Sequence, residues 1–104
     1  MNTVLVTGGS RGIGKAISIE FAKKGYNVAI NYVSDDMAAD TLKSFIVENY
    51  DVDVMLCKCD VSNEEDVKIM VKDVANHFGS IDVLVNNAGI AIDITFGDKT
   101  VENF

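Results

Sequence analysis

The feature that most constrains this chain is an alternation. Short apolar runs are each followed by a longer stretch whose apolar residues recur every three or four positions. Residues 2–7 ("NTVLVT") read as a buried strand. Residues 11–24 read as a helix with Ile13, Ala16, Ile17 and Phe21 on one face and Gly25 to stop it. Residues 27–32 ("NVAINY") are a second strand. Ser34 stands where an N-cap would open a second helix, with Asp35 and Asp36 in its first turn and Ala38, Leu42, Phe45 and Ile46 on one face. Residues 53–59 are a third strand. The capping box "SNEE" at 62–65 opens a third helix, whose apolar face is Val67, Met70, Val71, Val74, Ala75 and Phe78, with Gly79 after it. Residues 81–85 are a fourth strand, and a last helix is expected to start near Asp98. Apolar strands alternating with one-sided helices call for an α/β fold, a parallel sheet covered on both faces with right-handed crossovers. With 104 residues, no proline, no repeat and no linker, the chain reads as one unit.

Charge and hydropathy narrow the partners. The formal charge is −7 and Lys and Arg together number only nine, scattered along the chain, so nucleic acid is not an expected partner. An anionic ligand must be caught locally, against the net field. Runs such as "VLV" and "VAI" are too short to span a bilayer, and no basic and apolar leader precedes the first strand. A soluble cytoplasmic protein without membrane contact is expected. Cys57 and Cys59, at i and i+2 of a strand, share one face and read as small apolar core residues in a reducing compartment.

The first strand leads into "TGGSRGIGKA", which holds four of the eight glycines and the only arginine, Arg11. A loop at this place presents free backbone N–H groups at a helix N-terminus, where the helix dipole also favours an anion. Glycine lets the backbone approach a phosphate closely and take positive φ. Gly9, Gly14 and Lys15 also match the start of the loop used by nucleoside triphosphatases. That loop needs Ser or Thr next to hold magnesium, and here Ala16 follows. Asp60, at the end of the third strand, would suit a phosphoacceptor of the receiver type. A receiver needs acids after the first strand to hold a metal, where this chain has Thr7, Gly8 and Gly9.

Three motifs in order, "TGGSRGIG", Asp60–Val61 and "NNAG" at 86–89, resemble the short-chain dehydrogenase/reductase family, and most nearly its 3-oxoacyl-(acyl-carrier-protein) reductases. The resemblance covers the whole chain. It implies a Rossmann-type doubly wound sheet of three layers, with strand order 3-2-1-4, and a nicotinamide dinucleotide across the strand ends. It would place Gly8, Ser10, Arg11, Gly12, Ile13 and Gly14 along the pyrophosphate and adenosine ribose, and Asp60 on the adenine amino group with the Val61 backbone beside it. Asn87, Ala88 and Gly89 would pass under the cofactor's ribose, and Asn86 would brace the strand ends.

The choice of cofactor follows from charge. An enzyme that prefers NAD(H) ends its second strand in an acid that binds the ribose 2′-OH, and this acid would repel a 2′-phosphate. Here Tyr32 stands where the resemblance would put that acid, and Asn31, Tyr32 and Ser34 offer neutral polar groups. Arg11 supplies the positive charge a 2′-phosphate needs, so NADP(H) is expected over NAD(H). The resemblance implies hydride transfer to or from a carbonyl or alcohol, including an acyl thioester, in a homotetramer. The family's catalytic Ser and Tyr-x-x-x-Lys are absent: Tyr26, Tyr32 and Tyr50 are followed four positions on by Ile30, Asp36 and Val54. The family's domain runs to roughly 250 residues. The chain is therefore expected to be the N-terminal, cofactor-binding portion of a longer oxidoreductase, inactive by itself, with its fourth strand left as an open edge. A non-catalytic nucleotide-binding module or a triphosphatase-like protein is the alternative.

Overall fold

A computed structural model of the chain describes residues 1–88 and 100–103. The elements run β1 (Thr3–Val6), α1 (Gly12–Lys23), β2 (Asn27–Tyr32), α2 (Asp36–Asn49), β3 (Val54–Lys58), α3 (Glu64–Phe78), β4 (Val83–Asn86) and β5 (Thr100–Asn103). The five strands form one parallel sheet in the order β3-β2-β1-β4-β5. The expected order 3-2-1-4 and the layered α/β architecture are therefore present.

Why β1 is apolar at every position follows from its place. It lies in the middle of the sheet with helices on both faces, so all four residues are buried. Successive residues point to opposite faces. Val4 and Val6, with Val28 and Ile30 of β2, pack with Ala22 of α1 and Leu42 and Ile46 of α2. Leu5, with Ala29 of β2, Cys57 of β3 and Leu84 of β4, packs instead with Val67, Met70 and Val74 of α3. Each such fully buried Val or Leu side chain contributes roughly 1.5–3 kcal/mol by leaving water. Both cysteines belong to the α3 side of the core, Cys57 buried and Cys59 packed at its margin.

Four local expectations differ from the structure. The stripe of α1 that meets the sheet is Gly14, Ser18 and Ala22, while Ile17 and Phe21 flank it and Ile13 is 67% exposed. Small residues at i, i+4 and i+8 let the helix axis lie close to the strands, so size outweighs hydrophobicity there. The cap of α2 is Asp35, whose carboxylate accepts from Ala38 N–H at 3.0 Å, and not Ser34. The cap of α3 is Asn63, accepting from Asp66 N–H at 3.1 Å, and not Ser62. Ser62 is held by Asp60, whose Oδ1 accepts from its N–H at 2.9 Å and its hydroxyl at 2.7 Å. Finally, residues 100–103 pair with β4 as a parallel strand, so β4 is not an open edge and the last segment is not helical there. An apolar strand with an unpaired backbone edge attracts any extended segment within reach, which overrides a weak local helix signal. Asp98 lies outside the described residues.

Candidate functional site

The sheet order reverses at β1. The chain moves outward through β2 and β3 on one side of β1, then returns to β4 on the other. A crevice beyond the C-terminal ends of the strands follows from this arrangement. The glycine loop sits there, and the ends of β1, β2 and β4 contribute to fixing it. Gly8, at φ +61°, has both polar groups of its backbone held: its N–H donates to Asn31 Oδ1 at 3.1 Å, and its carbonyl accepts from Asn87 Nδ2 at 3.1 Å. Gly9 N–H donates to the Asn31 carbonyl at 2.9 Å. Thr7, fully buried, accepts from Ala88 N–H at 3.2 Å, and its hydroxyl reaches the Val85 carbonyl at 3.3 Å. The Ser18 hydroxyl lies 2.9 Å from the Gly14 carbonyl and 3.1 Å from that of Gly9, tying the loop to the helix it opens.

At the start of α1 the backbone is open. Its cap residue, Arg11, makes no side-chain capping bond, whereas Asp35 and Asn63 cap the other two helices. The first helical bond runs from Lys15 N–H to the Arg11 carbonyl at 3.1 Å, so the N–H groups of Gly12, Ile13 and Gly14 have no partner within the helix. A phosphate is the chemistry this end of a helix suits. The loop also folds back on itself where a side chain would intrude, since a Cβ at Gly14 would land on the Gly8 carbonyl oxygen. The residues present thus fit the pyrophosphate of a dinucleotide.

Beside the loop, a groove lined by Ser10, Arg11, Gly12, Lys15, Asp35 and Ala38 opens between α1 and α2. By sequence, Asp35 reads as a first-turn acid and Lys15 as part of a triphosphatase-type match, and neither is placed in a dinucleotide site. Lys15 stands one helical turn beyond Arg11, and that spacing was the available signal. Beyond the neutral Asn31, Tyr32 and Ser34, the capping carboxylate of Asp35 shares the groove with the two cations. Tyr32, at the end of β2, donates its hydroxyl to Asp36 Oδ1 at 3.0 Å. Partial desolvation and then this carboxylate raise the phenol above its ordinary value. Lys58 Nζ lies 3.2 Å and 3.3 Å from the two oxygens of Asp36, and its hydrogen bond, then that of Tyr32, lowers the carboxyl below its usual range. Ser34 is exposed, and its carbonyl accepts from Asp36 N–H at 3.1 Å.

Asp60 follows β3 on the same side of the sheet. Its carboxyl is held below its ordinary range by the Ser62 N–H and then the Ser62 hydroxyl, so it remains an anionic acceptor. Val61 turns its side chain into the core under α3, leaving its backbone for any contact in the crevice. Asn31 is 1% exposed, with its side chain wholly engaged by the protein. Asn86 is buried at the end of β4, and Ala88 is exposed just beyond it. Gly89 lies outside the described residues. Among the described residues no group of three or more His, Cys, Asp or Glu side chains could hold a metal, and no helix is long and apolar enough to cross a membrane.

The family model described as short chain dehydrogenase matches residues 2–104. The chain is 45% identical over 91 residues to the 3-oxoacyl-(acyl-carrier-protein) reductase FabG of Staphylococcus aureus, covering 88% of this chain and 37% of that protein. It is 44% identical over 87 residues to glucose 1-dehydrogenase 2 of Bacillus subtilis, covering 84% of this chain and 33% of that protein. Among solved structures, an alcohol dehydrogenase from the archaeon Thermococcus sibiricus, complexed with 5-hydroxy-NADP, superposes with a TM-score of 0.79 at 34% identity. That match covers 88% of this chain and 38% of the other. The chain thus spans about a third of the length of these relatives.

Proposed function

The chain belongs to the short chain dehydrogenase family, and on that premise we propose that residues 1–104 are the N-terminal cofactor-binding portion of an NADP(H)-dependent oxidoreductase. The observation that carries this reading is the uncapped start of α1, with Arg11 and Lys15 beside it and Tyr32 where an acid would reject a 2′-phosphate. Gly12, Ile13 and Gly14 would hold the pyrophosphate through their N–H groups, with Gly8 and Ser10 shaping the loop. Arg11 and Lys15 would face the 2′-phosphate, near Tyr32 and Ser34. Asp60 and the Val61 backbone would take the adenine, and Asn87, Ala88 and Gly89 the ribose. Two cations outnumber the one carboxylate in the groove, and that carboxylate is already held by the Ala38 N–H.

The cofactor supplies a hydride to a carbonyl, or accepts one from an alcohol. This chain's residues bind and orient it, and the acid–base groups belong to the rest of the whole protein. Its substrate class is a small-molecule carbonyl or alcohol, with an acyl thioester favoured by the likeness to FabG. The whole protein is proposed to be a cytoplasmic homotetramer.

The test is a fluorescence titration of the full-length protein with NADPH and NADH, followed by Arg11→Ala. NADPH is expected to bind more tightly. Loss of a charge-assisted contact should weaken it by about 10-fold or more while NADH changes little. Equal affinities, or an Arg11→Ala variant that keeps its preference, would overturn the cofactor assignment. Ketone-dependent NADPH oxidation by the 104-residue chain alone would overturn the placement of the chemistry elsewhere.

A further inference from the structure

Asn31 is the next-to-last residue of β2, yet its carboxamide bonds to two other segments of the crevice. Its Oδ1 accepts from Gly8 N–H at 3.1 Å, and its Nδ2 donates to the carbonyls of Cys57 at 3.2 Å and Cys59 at 3.0 Å. The orientation of the amide is determined by these partners. Turned over, it would set an NH2 against an N–H and a carbonyl oxygen against two others. At 1% exposure it has no room to act on a ligand. Its backbone adds one further tie, since Gly9 N–H donates to its carbonyl, and the carbonyl of the next residue, Tyr32, accepts from Cys59 N–H. Asn31 therefore joins the first residue of the phosphate loop to the residue immediately before Asp60.

We infer that Asn31 is a positioning residue, a bracket that sets the distance between the pyrophosphate-binding loop and the adenine-binding end of the crevice. It rests on the dinucleotide reading given above. A dinucleotide is bound at both places through one covalent linker, so its affinity depends on the spacing of the two half-sites as well as on each half-site. Gly8 and Gly9 use their N–H groups on Asn31, which leaves the anion to the N–H groups at the start of α1. An error of a few tenths of an ångström in the bracket leaves each half-site intact and spoils their register.

The experiment uses the full-length protein with Asn31→Val and Asn31→Asp. Valine suits a buried strand and removes all three side-chain bonds. Aspartate keeps the acceptor for Gly8 and turns both donor contacts into repulsions with carbonyl oxygens. Binding of NADPH is measured by titration calorimetry beside two half-ligands, inorganic pyrophosphate for the loop and adenosine for the Asp60 end. Thermal unfolding is followed for each variant. The bracket predicts that NADPH weakens by at least about 10-fold while each half-ligand changes by less than about 3-fold. Three results overturn it: unchanged NADPH affinity in both variants, half-ligands weakened as much as NADPH, or variants too unstable to bind either half-ligand. Failure of the unsubstituted protein to bind NADPH would instead remove the dinucleotide reading itself.

Discussion

A methyl group added at Gly14 would land on the carbonyl oxygen of Gly8 and lie 2.8 Å from Asn87 Nδ2. Neither neighbour can yield easily, because Gly8 is backbone and Asn87 is the side chain that holds it. Gly12, two positions earlier, has nothing within 4 Å of a Cβ but sits at φ +53°. The two glycines answer to different forces, collision in one case and backbone conformation in the other. Gly14→Ala is expected to cost about 1–3 kcal/mol or more in urea unfolding, and to abolish measurable NADPH binding because the loop must open. Gly12→Ala is expected to cost about 1–2 kcal/mol, with binding retained. NADPH binding kept by Gly14→Ala, or lost in Gly12→Ala, would contradict this distinction. The glycine motif was legible in sequence because positive φ and close approach demand glycine. The part Asn31 plays was not, since an asparagine at the end of a strand looks the same whether it faces a ligand or its own backbone.

Among the elements, the helix termini were visible to within one residue, and the physical reason for the miss is instructive. Ser62 and Asn63 are both good capping residues. Asp60 draws Ser62 into its own turn, so the neighbouring Asn63 caps α3. Asn63→Ala should cost about 1 kcal/mol in urea unfolding, while Ser62→Ala should stay within about 0.5 kcal/mol. The reverse order would restore Ser62 as the cap. In α3 the apolar face was read correctly, and Val67, Met70 and Val74 are buried. In α1 it was misread, because the helix lies against the sheet through Gly14, Ser18 and Ala22. Periodicity identifies an apolar stripe, and it does not reveal how closely two backbones must approach.

For the whole molecule, the two faces of the sheet carry separate cores, and the one beneath α3 contains both thiols. Burial, then Cys59 and Asp73, push the Cys57 thiol up to about 12 from an ordinary 9.0, and burial, then Asp66 and Asp60, raise that of Cys59. Because the folded values are raised, the neutral thiols favour the folded state fully below pH 9.0. This contribution is lost as pH rises from there towards about 12, where the unfolded chain ionises first. Melting temperature is therefore expected to fall between pH 9 and 11, and the fall should shrink in Cys57→Ala. Iodoacetamide should label the folded protein at pH 8 far more slowly than the urea-unfolded one, and equal rates would contradict the raised values.

The sequence by itself determined the order of strands and helices as far as β4, the parallel sheet, and the place of the glycine loop at its first turn. Each of these follows from local periodicity, or from what a glycine-rich backbone can do. Only the tertiary structure decided that Asp35 enters the groove with Arg11 and Lys15, that Lys58 pairs with Asp36, and that Asn31 joins the loop to the third strand. The Lys58–Asp36 and Asn31 contacts join residues more than twenty positions apart, and Asp35 meets Arg11 only because α1 and α2 pack side by side. Chain folding brings these groups together, and no local pattern records it.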